Sequence, residues 1–270
     1  MTGDTAYFDE MYQPDGGVRP AYSGYCDWFD GQDNGLMRRK HAEAETNFRK
    51  TGITFNVYGD GEAEERLIPF DMVPRVITAA EWRKLSRGIE QRVSALNAFM
   101  HDLYHRQEII RAGRIPERLF RNNKAWLPNM VGFTPPGGIY THIVGIDLVR
   151  TGADEFYVLE DNARTPSGVS YMLENRETMM AMFPELFMRV PVEQVSDYPR
   201  RLAKSLAACA PEGTRGKPTV AVLTPGIYNS AYFEHAFLAD QMGAELVEGS
   251  DLRVIDGRVA MRTTRGYHPV

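Results

Sequence analysis

Gly145-Ile146-Asp147-Leu148-Val149-Arg150, followed by Val158-Leu159-Glu160-Asp161-Asn162-Ala163-Arg164-Thr165-Pro166-Ser167-Gly168, is the stretch on which the reading of this chain turns. The apolar residues Ile143, Val144, Ile146, Leu148 and Val149 predict one strand, and Phe156 to Leu159 predict a second. Thr151-Gly152-Ala153-Asp154 between them reads as the turn of a β-hairpin. A turn centred on Ala153 and Asp154 sets Asp147 directly opposite Glu160. Side chains alternate along a strand, so Asn162 joins them on that face, and Arg164 does too if the strand runs that far.

Two carboxylates facing each other on a sheet destabilise it by roughly several tenths of a kcal/mol unless a cation lies between them. Asp147, Glu160 and the Asn162 amide are hard oxygen ligands of the kind Mg²⁺ takes while keeping places for water and substrate phosphates. Such a metal suits phosphoryl chemistry. The spacing by itself leaves a second reading open, in which Asp147 and Glu160 are solvated strand residues and Arg164 is their ion-pair partner. Arg150 falls on the face opposite Asp147. His142 shares that opposite parity and reads as a structural histidine.

The chain has 270 residues, long enough for two lobes with a sizeable core. Its 43% hydrophobic and 25% charged residues are those of a folded globular protein. A net charge of −5 argues against nucleic-acid or anionic-membrane partners, which require a basic surface. No apolar run approaches the roughly 20 residues of a membrane span, and the acidic, polar start from Met1 to Gly17 shows no signal peptide. Cys26 and Cys209 lie far apart and in no ligand spacing, so both are expected to be reduced and the protein cytoplasmic.

Residues 1–25 read as an irregular arm and Gly35 to Lys50 as a helix. Thr78-Ala79-Ala80-Glu81 has the form of a capping box and opens a helix whose apolar stripe is Trp82, Leu85, Ile89, Val93, Leu96, Met100 and Leu103, a core face. Residues 107–138 are connecting structure ending in Pro135-Pro136-Gly137-Gly138, a plain turn by its composition. Helices follow over Asn175 to Met188 and Pro199 to Ala208, and Pro211 to Pro218 is a linker. Thr219 to Leu223, Tyr232 to Met242 and Glu245 to Val247 then form a strand-helix-strand unit of the doubly wound kind. Leu252 to Ile255 and Arg258 to Arg262, joined by Asp256-Gly257, form a hairpin with a primed turn.

An aspartate on one strand and Glu-x-Asn-x-Arg on the next resemble the metal-binding hairpin of ATP-grasp ligases. Leu159 to Arg176 (LEDNARTPSGVSYMLENR), Gly52-Ile53-Thr54-Phe55 with Val57-Tyr58-Gly59-Asp60, and Leu223 to His235 (LTPGIYNSAYFEH) narrow the resemblance to circularly permuted ATP-grasp proteins of the second type, a group related to glutathionylspermidine synthase. The resemblance runs from about residue 20 to the last residue.

What the resemblance implies is an α/β (mixed α+β) chain. Its parts would be the N-terminal arm (1–25), a catalytic, metal-binding lobe with antiparallel sheet and helices (26–210), and a partial doubly wound, pre-ATP-grasp-like domain (218–270), with a further C-terminal lobe expected beyond Val270. The activity implied is ATP-dependent ligation of a small-molecule or peptide carboxylate to an amine through an acyl-phosphate. Asp147, Glu160 and Asn162 would hold Mg²⁺ or Mn²⁺, and Arg164 would stabilise the transferring phosphoryl group. Ser167 and Gly168 are either a plain turn or a backbone cradle for an ATP phosphate. Tyr228 and Asn229, in a loop that opens a helix, are candidate substrate contacts. The alternative is an ATP-grasp-like piece that binds metal or nucleotide without turnover.

Overall fold

The computed structural model describes residues 7–58, 63–211 and 213–270, with backbone alone for 54–58 and 63–65. Gly59 and Asp60, at the end of one resemblance motif, and Glu212 of the linker lie outside the described residues. Along the chain come α1 (Ser23–Phe29), α2 (Asn34–Thr51), the antiparallel pair β1 (Thr54–Tyr58) and β2 (Ala63–Leu67), and the long helix α3 (Ala79–Tyr104). The short α4 (Glu108–Arg111) and α5 (Arg118–Arg121) precede a hairpin of β3 (Gly145–Arg150) and β4 (Phe156–Asn162). Then follow α6 (Val169–Met182), α7 (Pro184–Arg189), α8 (Tyr198–Ala208), β5 (Ala221–Leu223), α9 (Tyr232–Met242), β6 (Glu245–Val247), β7 (Leu252–Ile255), β8 (Arg258–Thr263) and β9 (Gly266–Pro269).

Contacts divide these elements into two compact units. Among the described residues, one comprises 7–21 and 75–166, and the other comprises 22–58, 63–74, 167–211 and 213–270. The cuts differ from boundaries drawn at 25/26 and 210/218, because packing gathers segments that are remote in sequence. Among the described residues no helix is long and apolar enough to cross a membrane.

The first unit is organised by α3. Thr78 caps it as its sequence predicts: the hydroxyl accepts from the Glu81 N–H at 3.2 Å, and the Glu81 carboxylate accepts from the Thr78 N–H at 2.7 Å. At its other end Tyr104 is buried, stacked on Trp126 at 4.4 Å with Phe120 against the indole. The expected core stripe is covered only in part. Leu103 is buried and Leu85, Ile89, Val93, Leu96 and Met100 are half-buried, whereas Trp82 is 55% exposed.

Glu81 also receives the Arg150 guanidinium at 2.5 Å, and this gives the first unit an acid-sensitive tie. Burial pushes the Glu81 carboxyl up, but the Thr78 N–H and hydroxyl and the Arg150 charge together hold it below the usual glutamate range. A carboxyl so depressed contributes stability above its unfolded value near about 4.3 and loses it as pH falls through the folded value. Melting of the wild-type protein should therefore fall more steeply below about pH 4 than that of Glu81→Gln, as differential scanning calorimetry across pH 3–6 would show.

In the second unit the aromatic core is built from α1, α2, α6 and α7, with Trp28 edge-on to Phe183 at 5.1 Å and Phe48 edge-on to Phe70 at 5.4 Å. Lys40 donates to the Met182 carbonyl at the C-terminal end of α6 and lies over the Phe183 ring. The helix expected over Asn175 to Met188 is instead two. It begins at Val169, where the partner of its first N–H groups comes from another element, and it breaks at Phe183 because Pro184 has no N–H to continue the ladder. The strands β5 and β6 are parallel with α9 between them in sequence. The β7–β8 turn has both Asp256 (φ 49°) and Gly257 (φ 74°) in the left-handed region, as a primed two-residue turn demands. β9, pairing with β8, is a third strand that the sequence did not announce.

Candidate functional site

The β3–β4 hairpin pairs Asp147 with Glu160 and Gly145 with Asn162. It arrives there by an unexpected route. Arg150 faces Phe156, Val149 faces Tyr157 and Leu148 faces Val158, one residue out of step with a turn centred on Ala153 and Asp154. The closing pair is Thr151 and Glu155, so the turn is the three residues Gly152 to Asp154. A β-bulge at Leu159 inserts one residue into β4 and restores the step, bringing Glu160 back opposite Asp147. Without the bulge a regular ladder would place Leu159 there and turn Glu160 to the other face.

The bulge also separates two faces of different character. Ile146, Leu148 and Arg150 on β3, with Phe156 and Asp161 on β4, belong to the inner face. Arg150 there is an anchor: it bonds Glu81, lies 3.8 Å from Glu10, donates to the Gly152 and Ala153 carbonyls, and stacks over Phe8 and Phe156. Asp161 accepts a two-pronged bond from Arg92 on α3, Nε to Oδ1 at 2.7 Å and Nη2 to Oδ2 at 2.6 Å. The Arg92 guanidinium holds the Asp161 carboxyl below the usual aspartate range. Asp147, Glu160 and Asn162 are on the outer, exposed face.

These three side chains converge. The Asn162 Nδ2 lies 3.1 Å from Glu160 Oε1 and 3.5 Å from Asp147 Oδ1, so one amide touches both carboxylates. Rotating that amide by half a turn presents its oxygen to the same point, completing a set of three oxygen donors open to water. That donor set fits a hard divalent cation. Among the described residues no group of three or more His, Cys, Asp or Glu side chains gathers at metal-binding distance, which leaves two carboxylates and an amide as the cluster to weigh.

Arg164 does not extend the face by strand parity. The strand stops at Asn162, and Arg164 lies exposed in the bend that follows, with no hydrogen bond or ion pair to a described residue. His142 lies in a bend before β3, because Ile143 and Val144 are not in the strand.

Within the second unit, Ser167 and Gly168 lie just before α6. A backbone cradle is present at the start of α6, but its anion is internal. The Gly168 N–H donates to both Glu234 oxygens at 2.9 and 2.6 Å, and the Ser170 N–H and hydroxyl donate to Glu234 Oε2 at 3.1 and 2.9 Å. Ser170 is 0% and Glu234 4% exposed. A carboxylate at a helix N-terminus meets unpaired N–H groups and the positive end of the dipole. Burial first, and the Glu234 charge second, push the Tyr171 and Tyr198 hydroxyls up. Glu234 stands in the apolar run Tyr232 to Leu238, and a lone carboxylate there was the signal that something must pair with it.

In the loop before α9, Tyr228 is 83% exposed. Asn229 accepts from the Ala231 N–H at 2.9 Å and so shapes the turn into the helix. Thr224, buried at the end of β5, bonds His235 at 2.9 Å and accepts from the Gly226 N–H at 3.2 Å.

Known proteins are similar to this sequence over nearly all of its length. An uncharacterized protein of Synechocystis is 45% identical over 98% of this chain and 55% of its own length. One of Mycobacterium tuberculosis is 48% identical over 97% of this chain and 47% of its own. A Frankia alni protein, provisionally named a glutamate–cysteine ligase, is 41% identical over 97% of this chain and 30% of its own. The chain thus spans about half the length of the cyanobacterial and mycobacterial relatives it matches. The sequence profile described as "Circularly permuted ATP-grasp type 2" matches residues 74–270, a span that includes the β3–β4 hairpin, and the chain belongs to that family.

Proposed function

We propose that this chain carries the metal-binding part of an ATP- and Mg²⁺-dependent carboxylate–amine ligase. The observation that carries the reading is the convergence of Asp147, Glu160 and Asn162 on one exposed hairpin face in a chain of this family. When bound, the cation would draw ATP phosphate oxygens to that face and offset their charge. Asp147 and Glu160 supply the charge that holds the cation, and Asn162 supplies a neutral third oxygen. Arg164, exposed and without a described partner, is free to meet a phosphate.

In the proposed reaction a substrate carboxylate oxygen attacks the γ-phosphorus and ADP departs, leaving an acyl-phosphate. An amine nitrogen then attacks the carbonyl carbon, loses a proton, and inorganic phosphate leaves. The β5–α9–β6 unit is read as part of a doubly wound substrate-side domain, with the exposed Tyr228 at its strand-to-helix loop. The name of the Frankia alni relative makes glutamate and cysteine the first pair of substrates to try.

A second reading, metal or nucleotide binding without ligation, draws on the backbone donors at Gly168 and Ser170 being taken by Glu234. Coupled ADP-release assays with Mg²⁺ and panels of amino-acid and peptide carboxylates and amines separate the two. ADP release that requires both an acid and an amine supports the ligase. MgATP binding by calorimetry with no acid-dependent ADP release establishes the second reading.

A further inference from the structure

The stretch that carries Glu160 and Asn162 has little backbone support of its own. The hairpin is an isolated two-stranded sheet, and such a pair by itself is marginal in water. Within it, residues 160–162 lie between the bulge at Leu159, where the ladder is interrupted, and the end of β4 at Asn162. Three residues of ladder must fix two of the three proposed ligands.

Asp161 is the middle one. Because it points inward while its neighbours point outward, any rotation of the strand at Asp161 swings Glu160 and Asn162 together. Its carboxylate is gripped by both prongs of the Arg92 guanidinium at 2.7 and 2.6 Å. A two-pronged planar bond fixes orientation as well as distance, which a single point charge does not.

The grip belongs to a larger arrangement on one helix. Arg150 beside the hairpin turn is bonded to Glu81, and Asp161 at the ligand end is bonded to Arg92. Glu81 and Arg92 are eleven positions apart on α3, about 16 Å at 1.5 Å each. On β3, Arg150 and Ile146, the residue facing Asp161, are four apart, about 13 Å. The two spans agree to within the reach of the side chains, so α3 acts as a splint pinned to the hairpin at both ends. The Arg92 side chain is 43% exposed, and an exposed pair adds little to global stability. Its effect lies in local orientation.

We infer that Arg92, acting through Asp161, is a positioning residue that holds Glu160 and Asn162 at the angle a divalent cation requires. The inference rests on the reading of the hairpin as a metal site. It is tested by titrating Mn²⁺ alone into the wild-type protein, Arg92→Ala, Arg92→Lys, Asp161→Asn and Glu160→Gln. Free Mn²⁺ is read by electron paramagnetic resonance, and near-ultraviolet circular dichroism and melting are followed in parallel. Arg92→Ala and Asp161→Asn should each weaken Mn²⁺ about tenfold with melting nearly unchanged, and Arg92→Lys, which keeps the charge but not the two prongs, should fall between. Wild-type affinity in Arg92→Ala, with Glu160→Gln weakened, overturns the positioning role and leaves the metal site standing. Absence of Mn²⁺ binding by the wild type, or wild-type affinity in Glu160→Gln, overturns the metal site and the inference with it.

Discussion

On the proposed ligase reading, Glu160→Gln is expected to lower the Mg²⁺-dependent ATP turnover of the protein that contains this chain by about 10³-fold while leaving the melting temperature within a degree or so of wild type. The substitution keeps the shape of the side chain and its place opposite Asp147, and removes one of only two carboxylates on the outer face of the hairpin. Relief of the repulsion between the facing carboxylates offsets any loss of native contacts, since the glutamate is exposed and its one hydrogen bond is to Asn162. The loss should shrink as Mn²⁺ replaces Mg²⁺, because the ion that binds oxygen ligands more tightly better tolerates a neutral one. Steady-state ADP release at saturating ATP, beside calorimetric melting of both proteins, decides the matter. Wild-type turnover in a folded Glu160→Gln protein would remove Glu160 from the metal set.

Glu234→Ala is expected to destabilise the second unit strongly. It leaves the Gly168 N–H, the Ser170 N–H and the Ser170 hydroxyl without their acceptor in a site where Ser170 is fully buried. Three orphaned donors and an unfilled volume cost about 3–5 kcal/mol, or roughly 10 °C in melting. The effect should be local at first. Amide exchange in the first turn of α6 should rise before exchange in α2 does, because only the former loses its cap. Glu234→Gln keeps an acceptor oxygen and the volume, and should recover part of the loss. Unchanged melting in Glu234→Ala would show that water replaces the carboxylate at no cost.

The two predictions probe different kinds of information. Glu160 and Asp147 could be matched in the sequence because a hairpin with a short turn brings near neighbours together under the two-residue period of a strand. Even so, the match came by compensation: beside the turn the strands pair one residue out of the register the sequence set, and the bulge at Leu159 restores the phase. Nothing in Val158-Leu159-Glu160 distinguishes a bulge from a regular strand, since a bulge depends on which faces the packed helix and the solvent select. The end of β4 at Asn162, which frees Arg164 from the face, was equally hidden.

Sequence by itself determined what local chemistry can determine. Thr78 and Glu81 capped a helix three residues apart, Asp256-Gly257 made a primed turn because both residues had to take positive φ, and α9 ran over Tyr232–Met242 as its pattern indicated. Each of these interactions closes within a few residues, so the residues that make it also specify it. Tertiary structure alone decided the pairing of Arg92 with Asp161 across 69 positions and of Glu234 with Gly168 across 66, along with the start of α6 that the second pairing fixes. A guanidinium or carboxylate can serve any partner of suitable charge or donor geometry, and only the packed chain selects one by bringing it within hydrogen-bond reach and excluding water from the alternatives.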